Sequence, residues 1–364
     1  MESRVDSFEI AGRQIGAASP LFVMAEIGLN HDGSLDRALT LVDEAARAGA
    51  QAIKLQSLYA DRLVAASCPP PLHVDVSSLR DLFARYELDE AAHAAIAQRA
   101  RRLGLGFIST PFALDAIDML HRLGVDAYKI ASGDLTHHEL IARAARTGKP
   151  LIISTGMSTM RDVADAVACA HQAGARHVAL LHCVSAYPTP DDQQNLGAIR
   201  TLADTFGVPV GLSDHSATAL NGAFDTLSIA VALGASIYER HLKPENGEAC
   251  LDEAVSSNST ELAAAIAAAA RAKRAIGHGG REPQPAELGN RTPSRRALYA
   301  VRDLASGDIV KAEDIIALRP GDGLSAVHYA ALAGTRVSRA IAAGEAFVDA
   351  DLPFGRSGEI RGAA

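Results

Sequence analysis

Eight short apolar runs, separated by stretches of helical spacing, recur between residues 21 and 240. They cover residues 21–27, 52–56, 106–110, 127–131, 151–155, 178–184, 208–213 and 236–240. A continuous apolar run between helices suits a strand covered on both faces, the environment of a parallel sheet. Eight strand–helix units in succession predict an α/β chain closed as a (β/α)8 TIM barrel, with a doubly wound open sheet as the alternative.

The intervening segments carry their own start and stop signals. Ser34 can cap a helix over 35–48, where Leu35, Ala38, Leu39, Val42, Ala45 and Ala46 share one face and Gly49 ends it. Asn258 followed by Glu261 has the pattern of a capping box ahead of an alanine-rich helix over 262–276, which Gly277 ends. Gly and Pro crowd residues 277–293, which read as a linker. Beyond it, 297–301 and 315–318 read as strands around a turn at Ser306-Gly307-Asp308. The expected organisation is a barrel domain (1–276), a linker (277–293) and a small β-rich domain (294–364) that needs a surface to dock on.

Composition narrows the function classes. Among 364 residues, 48% are hydrophobic and 4% aromatic, so the core must be aliphatic and alanine-rich. A net charge of −8 argues against a general nucleic-acid binder, although a local Lys/Arg cluster can still receive an anion. Cys68, Cys169, Cys183 and Cys250 form no C-x-x-C pair, which favours a reducing compartment. Without an apolar leader or a run long enough to span a bilayer, the chain is expected to be cytoplasmic and to bind no membrane.

In a (β/α)8 barrel the chemistry sits at the C-terminal ends of the strands. Those ends are unusually polar here. Lys54 and Lys129 interrupt apolar runs, where an unpaired lysine is seldom tolerated. With hydroxyls from Thr110, Ser132, Ser154 and Ser213 they would form a pocket for phosphate or carboxylate. His215 and His241 each end an apolar run, and on adjacent strands they would hold a divalent cation with positions open to water or substrate. His31 and His182 lack such a partner and stay open between supporting and structural roles, while Cys183 reads as a small core residue.

The ordered set of motifs resembles the sialic acid synthase family, whose members condense phosphoenolpyruvate with an amino-sugar aldehyde. The matching segments are 25–33, 108–112, 129–133, 154–157, 181–188, 211–215 and 239–241. The stretch from Arg295-Arg296-Ala297-Leu298 to Leu318-Arg319-Pro320-Gly321-Asp322-Gly323-Leu324 is similar to the antifreeze-like (SAF) module that ends these enzymes. The resemblance implies that Lys54, Thr110, Lys129, Ser132, Ser154, Ser185 and Ser213 bind phosphoenolpyruvate. It implies that His215 and His241 hold a divalent metal, manganese in the first place with magnesium or cobalt as alternatives. Glu26 and Glu239 would support the metal, the water or proton transfer. Tyr187, Asp252 and Asp134 would contact the sugar, and Arg295 or Arg296 would reach the active site of the partner in a domain-swapped homodimer.

The chain departs from the family mainly on the sugar side. Cys250-Leu251-Asp252-Glu253-Ala254 replaces a Gly-Pro-Asp-His-like loop, Asp134 stands where glutamate is usual, and Ser216-Ala217-Thr218 replaces Thr-x-Gly. The phosphoenolpyruvate half is kept. Two rival readings are a Schiff-base aldolase using Lys129 or Lys54, and a non-catalytic carbohydrate-binding homologue.

Overall fold

Eight parallel strands pair in a ring: β3 (Phe22–Glu26), β4 (Ala52–Ser57), β5 (Gly106–Pro111), β6 (Ala127–Ile130), β7 (Leu151–Ser154), β8 (Val178–Cys183), β9 (Val210–Asp214) and β10 (Ile237–Leu242). β10 pairs with both β9 and β3, so the sheet closes as a TIM-like barrel instead of remaining open. The computed structural model describes residues 7–68, 78–217 and 225–352. Residues 1–6 and 353–364, at the outer ends of the two expected domains, and Thr218 lie outside the described residues.

Helix α1 (Leu35–Ala48) forms as its signals dictate. The Ser34 side chain accepts the Arg37 amide, and Gly49 closes the helix in the left-handed region at φ 83°. The helix Ser259–Ile276 begins with a reciprocal capping box between Asn258 and Glu261. A feature the apolar runs do not announce is the hairpin of β1 (Phe8–Ile10) and β2 (Arg13–Ile15). Its strands have three residues each, too few for a period to stand out. Phe8, Ile10 and Ile15 pack with Phe22, Met24, Ala52, Ile108, Ala127, Ile152, Ala179, Leu181 and Ile237 in one buried cluster, so the hairpin fills the barrel's N-terminal end.

Side chains two apart on a strand share a face. On all eight strands this rule places a small or apolar inward residue below a polar or thiol-bearing one. The pairs are Met24 and Glu26, Ala52 and Lys54, Ile108 and Thr110, Ala127 and Lys129, Ile152 and Ser154, Leu181 and Cys183, Gly211 and Ser213, and Ile237 and Glu239. The outward residues between them, such as Ala25, Ile53, Tyr128, Ile153 and Leu212, pack under the helices. The barrel therefore has an apolar floor and a polar top.

The chain divides into two compact units, residues 1–277 and 278–364. In the second, β12 (Ala297–Ala300) and β13 (Ile315–Leu318) pair antiparallel; β11 (Ser256–Ser257) belongs to the barrel, beside β10. The second unit has its own core of Leu298, Leu304, Val310, Leu332, Val337, Ile341 and Phe347. Arg302 grips Asp314 through Nε and Nη2 at 2.7 and 2.9 Å. The stretch read as a linker is partly ordered: a 3-10 turn (Pro285–Glu287) leads into the helix Leu288–Ser294. The Glu287 carboxylate accepts the Gln284 amide at 2.8 Å, and Pro285 sits where its missing N–H costs nothing. Among the described residues no helix is long and apolar enough to cross a membrane.

Candidate active site

The polar top of the barrel encloses a cavity of about 390 Å³. Lys54, Thr110, Lys129, Ser132, Ser154, Ser185, Tyr187, Ser213, His215, Glu239 and His241 all line it. Register explains the convergence. His241 is paired with Glu26 across β10 and β3, Glu26 with Lys54 across β3 and β4, and Glu239 with Ser213 across β10 and β9.

The charged groups interlock. Lys54 Nζ lies 2.5 Å from Glu26 Oε2 and 3.0 Å from Glu239 Oε1, and Lys129 Nζ lies 3.4 Å from Glu239 Oε2. Glu26 Oε1 accepts the Gly28 amide at 2.7 Å and Gln56 Nε2 at 3.1 Å. A Cβ on Gly28 would stand 2.0 Å from that same oxygen, so the contact requires glycine. Burial brings the Lys54 ammonium down to about 8, against the attraction of Glu239. Burial also opposes the charge of Glu239, but Lys129 and Lys54 hold its carboxyl well below the ordinary carboxylate range.

The hydroxyls are arranged to receive something. Thr110 Oγ1 and Ser154 Oγ are buried with no hydrogen-bond partner in the protein, an arrangement that calls for a ligand or water. The Gly156 amide donates to Ser132 Oγ at 3.0 Å. A Cβ at Gly156 would come within 2.3 Å of Ser185 Oγ and 2.7 Å of Ser132 Oγ, so only glycine lets both hydroxyls close in.

The two histidines meet. Their ring centroids are 5.4 Å apart with planes tilted by 56°. His215 Nδ1 donates to the Val184 carbonyl at 3.0 Å, which leaves Nε2 as the free lone pair. His241 Nδ1 lies 3.2 Å from Asp252 Oδ2. Burial holds the His241 imidazole below its ordinary value, with Asp252 opposing, so the neutral form needed for ligation dominates. For His215 burial is outweighed by Cys183, the Val184 carbonyl and Glu239, and its imidazole stands above the ordinary value. Two imidazoles sharing one ion through nitrogens about 2.1 Å away have centres roughly 5–6 Å apart, so the pair fits a divalent cation. Among the described residues no cluster of three or more His, Cys, Asp or Glu has metal-holding geometry. Two imidazoles leave the other positions around an ion to water or substrate, unlike the four protein ligands of a closed structural site.

Tyr187, 56% exposed, stacks on His215 at 4.1 Å and guards the mouth. Asp252 meets the site through His241 and does not line the cavity itself. Asp134 ends the turn Ser132–Asp134 and does not line the cavity either. Burial raises its carboxyl above the ordinary value. Arg295 and Arg296 belong to the second unit. There the Arg295 amide donates to Arg291 O at 3.1 Å and Arg296 Nη1 to Ala317 O at 3.3 Å.

Gln56, Phe112, Met157 and Cys183 also line the cavity, though sequence reasoning gave them no role in it. The two-residue strand period finds Gln56 above Lys54, Phe112 above Thr110 and Cys183 above Leu181; nothing comparable marks Met157. Cys183 Sγ lies 3.7 Å from His215 Nδ1, so this cysteine is part of the wall and not core filling. His31 Nδ1 accepts the Gly33 amide at 3.1 Å while its Nε2 is buried without a partner in the protein, and His182 Nε2 bonds the Gln194 carbonyl at 2.8 Å; neither ring lines this cavity. A larger cavity, about 790 Å³, adjoins this one and shares Met157, Cys183 and Ser185. No lysine, carboxylate or paired histidine lines it, so the chemistry belongs to the smaller cavity.

Comparison with known proteins places the arrangement. Residues 41–281 match the NeuB family and residues 295–353 the SAF domain. The N,N'-diacetyllegionaminic acid synthase of Campylobacter jejuni is 33% identical over 315 residues, covering 84% of this chain and 92% of that protein. A pseudaminic acid synthase of the same species is 34% identical over 338 residues, covering 91% and 96%. The crystal structure of N-acetylneuraminic acid (sialic acid) synthetase from Leptospira borgpetersenii, in complex with citrate, superposes with a TM-score of 0.71 at 32% identity, covering 79% of this chain and 95% of that one.

Proposed function

We infer that this chain, which belongs to the NeuB family and is an enzyme of that family, condenses phosphoenolpyruvate with an aldose to give a sialic-type acid and phosphate. The acceptor is an N-acetylmannosamine-like amino sugar or a related aldose. The observation that carries the reading is the convergence of Lys54, Lys129 and two partnerless buried hydroxyls on the cavity that also receives His215 and His241.

Each residue then has a task. Lys54 and Lys129 attract the anion, and Thr110, Ser132, Ser154, Ser185 and Ser213 offer hydroxyls to its phosphate and carboxylate. C3 of phosphoenolpyruvate forms the new bond to the aldehyde carbon, water adds at C2, and phosphate leaves with cleavage of its C–O bond. His215 and His241 would hold a divalent cation, manganese first, which when bound supplies Lewis acidity to the aldehyde carbonyl. Glu239, which lines the cavity, and Glu26, buried behind Lys54, would support the cation, the water or proton transfer. Tyr187, stacked on His215, and Asp252, beside His241, face the acceptor side.

The working form is a homodimer in which the second unit reaches the partner's active site through Arg295 or Arg296. What supports this is the family resemblance together with the exposed apolar side chains of that unit, Val327 (79% exposed) among them.

The test is incubation with Mn2+, phosphoenolpyruvate and a panel of hexosamines and free hexoses, with phosphate release and product mass as readouts. The panel is needed because relatives with different products match at 33% and 34%. Phosphate release with one acceptor, and a product mass equal to aldose plus pyruvate, is the expected result. A folded, metal-loaded protein that releases no phosphate with any acceptor of the panel overturns the reading.

A further inference from the structure

Asp252 is carried on the segment between β10 and β11, and that segment is held by side chains from the first strand–helix unit of the barrel. Arg37 Nη2 donates to Ala249 O at 2.7 Å, and the Glu245 amide donates to the Glu44 carboxylate at 3.2 and 3.3 Å. The closest hold is Asn30, which is 1% exposed. Its Nδ2 donates to Leu242 O at 3.0 Å and to Ser256 Oγ at 2.8 Å, while its Oδ1 accepts the Asp252 amide at 3.1 Å. The orientation of the amide is unambiguous, because the Leu242 carbonyl can only accept and the Asp252 N–H can only donate.

Ser256 Oγ passes the contact on, donating to Asp252 O at 2.6 Å. Asn30, Ser256 and Asp252 thus form a closed ring in which the Asp252 backbone is held at both its N–H and its C=O. All of the hydrogen-bonding capacity of the Asn30 Nδ2 group is used, and so is the single Ser256 hydroxyl proton. What this ring fixes is the backbone from which the Asp252 side chain starts, and the Oδ2 of that side chain lies 3.2 Å from His241 Nδ1. A carboxylate on the remote nitrogen of a ligating imidazole sets its ring orientation and basicity.

We propose that Asn30 is the positioning residue that holds Asp252 against His241, and so sets the geometry of the His215–His241 pair from a strand end that contributes nothing to it directly. The proposal rests on the reading of that pair as a metal site.

The experiment is a double-mutant cycle on the full chain with Mn2+ as the probe, read from the electron paramagnetic resonance signal of the free ion. Asp252→Ala is expected to weaken Mn2+ binding by about tenfold or more, the usual consequence of removing a carboxylate that lies against a ligand's remote nitrogen. Asn30→Ala is expected to weaken it severalfold in the wild-type background and not at all in the Asp252→Ala background. Phosphoenolpyruvate binding to Asn30→Ala, measured by calorimetry, is expected to match wild type, since Asn30 does not line its pocket. A merely structural role would move both ligands together.

An Asn30→Ala protein that binds Mn2+ like wild type, or losses that multiply in the double variant, overturns the proposal. If Asn30→Ala does not fold, the same cycle with Ser256→Ala decides, because that hydroxyl grips the Asp252 carbonyl. Wild-type protein that takes up no Mn2+ overturns the metal reading and this role with it. Wild-type binding with uncoupled variants overturns this role alone.

Discussion

Lys54 Nζ and Glu239 Oε1 lie 3.0 Å apart at the top of the barrel, both side chains almost wholly buried. The same ammonium reaches Glu26 at 2.5 Å, and Lys129 reaches the other oxygen of Glu239. Two lysines and two carboxylates therefore balance one another before any substrate arrives. An entering anion must share cations that are already paired. The two partnerless hydroxyls, Thr110 and Ser154, are the groups free to meet it without such competition.

Removing the cation from this box is expected to be costly. Lys54→Met leaves Glu26 and Glu239 buried without their shared partner, a defect that costs about 3–5 kcal/mol in comparable buried pairs. Urea unfolding should show a loss of that order, and the double variant Lys54→Met/Glu239→Gln should recover part of it. Unfolding of Lys54→Met at the wild-type midpoint would show that the box contributes no such coupling.

The pH dependence of phosphoenolpyruvate use should report Lys54. Burial lowers its ammonium to about 8, so the cation is lost as pH rises through that value. kcat/KM for phosphoenolpyruvate, which reflects the free enzyme, should fall above about pH 8, approaching tenfold per pH unit. In Lys54→Arg the charge persists, so the inflection near 8 should vanish even if the rate is lower. An unchanged inflection in that variant would assign it to another group.

Much of this site can be read from the chain because strands count in twos. Lys54, Lys129 and Glu239 each sit two residues beyond a small or apolar inward residue, so the eight apolar runs already contain the polar top. The paired histidines are legible for the same reason, as run-ending residues of neighbouring strands. What cannot be read this way lies off the strands. Asp252 reaches His241 through a loop whose path is set by Asn30, Arg37 and Glu44, over 200 positions away in each hydrogen bond. The β1–β2 hairpin escapes for a different reason: its burial comes from plugging a barrel that must first be closed, and its own pattern is only three residues long per strand.

His31 should make the fold acid-sensitive. Burial lowers its imidazole to about 4, against the Gly28 carbonyl, whereas in the unfolded chain it titrates near the ordinary value of 6.5. The unfolded state therefore binds the extra proton between those values. Its contribution is complete above about pH 6.5 and is lost as pH falls toward 4. By linkage the loss between pH 7 and 4.5 is about 2–3 kcal/mol. Urea unfolding at those two pH values should show a smaller drop for His31→Gln than for wild type, and equal drops would contradict the assignment.

The floor and the top of the barrel should respond separately to mutation. Ile15→Ala opens a hole in the buried floor and should cost about 2–5 kcal/mol without altering KM. Gly156→Ala places a methyl 2.3 Å from Ser185 Oγ and 2.7 Å from Ser132 Oγ, so it should raise KM for phosphoenolpyruvate at least severalfold. Steady-state kinetics beside urea titration of both variants checks the split, and a KM effect from Ile15→Ala would mean that the two layers are coupled.

The sharpest division among the chemical readings is between a metal-assisted condensation and an amine-bound intermediate. His215 and His241 present imidazoles 5.4 Å apart, while the Lys54 amine is occupied by two carboxylates and Lys129 by one. A Schiff base would require one of these amines to leave its carboxylate and lose its proton. His215→Ala is therefore expected to lower phosphate release by about 100-fold or more, the several kcal/mol that a bound cation supplies to a polarised carbonyl. Chelation should do the same to wild type, with recovery on adding Mn2+, and His215→Ala should show little recovery. Borohydride in the presence of substrate should leave Lys54 and Lys129 unmodified by mass spectrometry. Activity that ignores the chelator, together with a substrate-dependent adduct on either lysine, would replace the metal reading with the aldolase one.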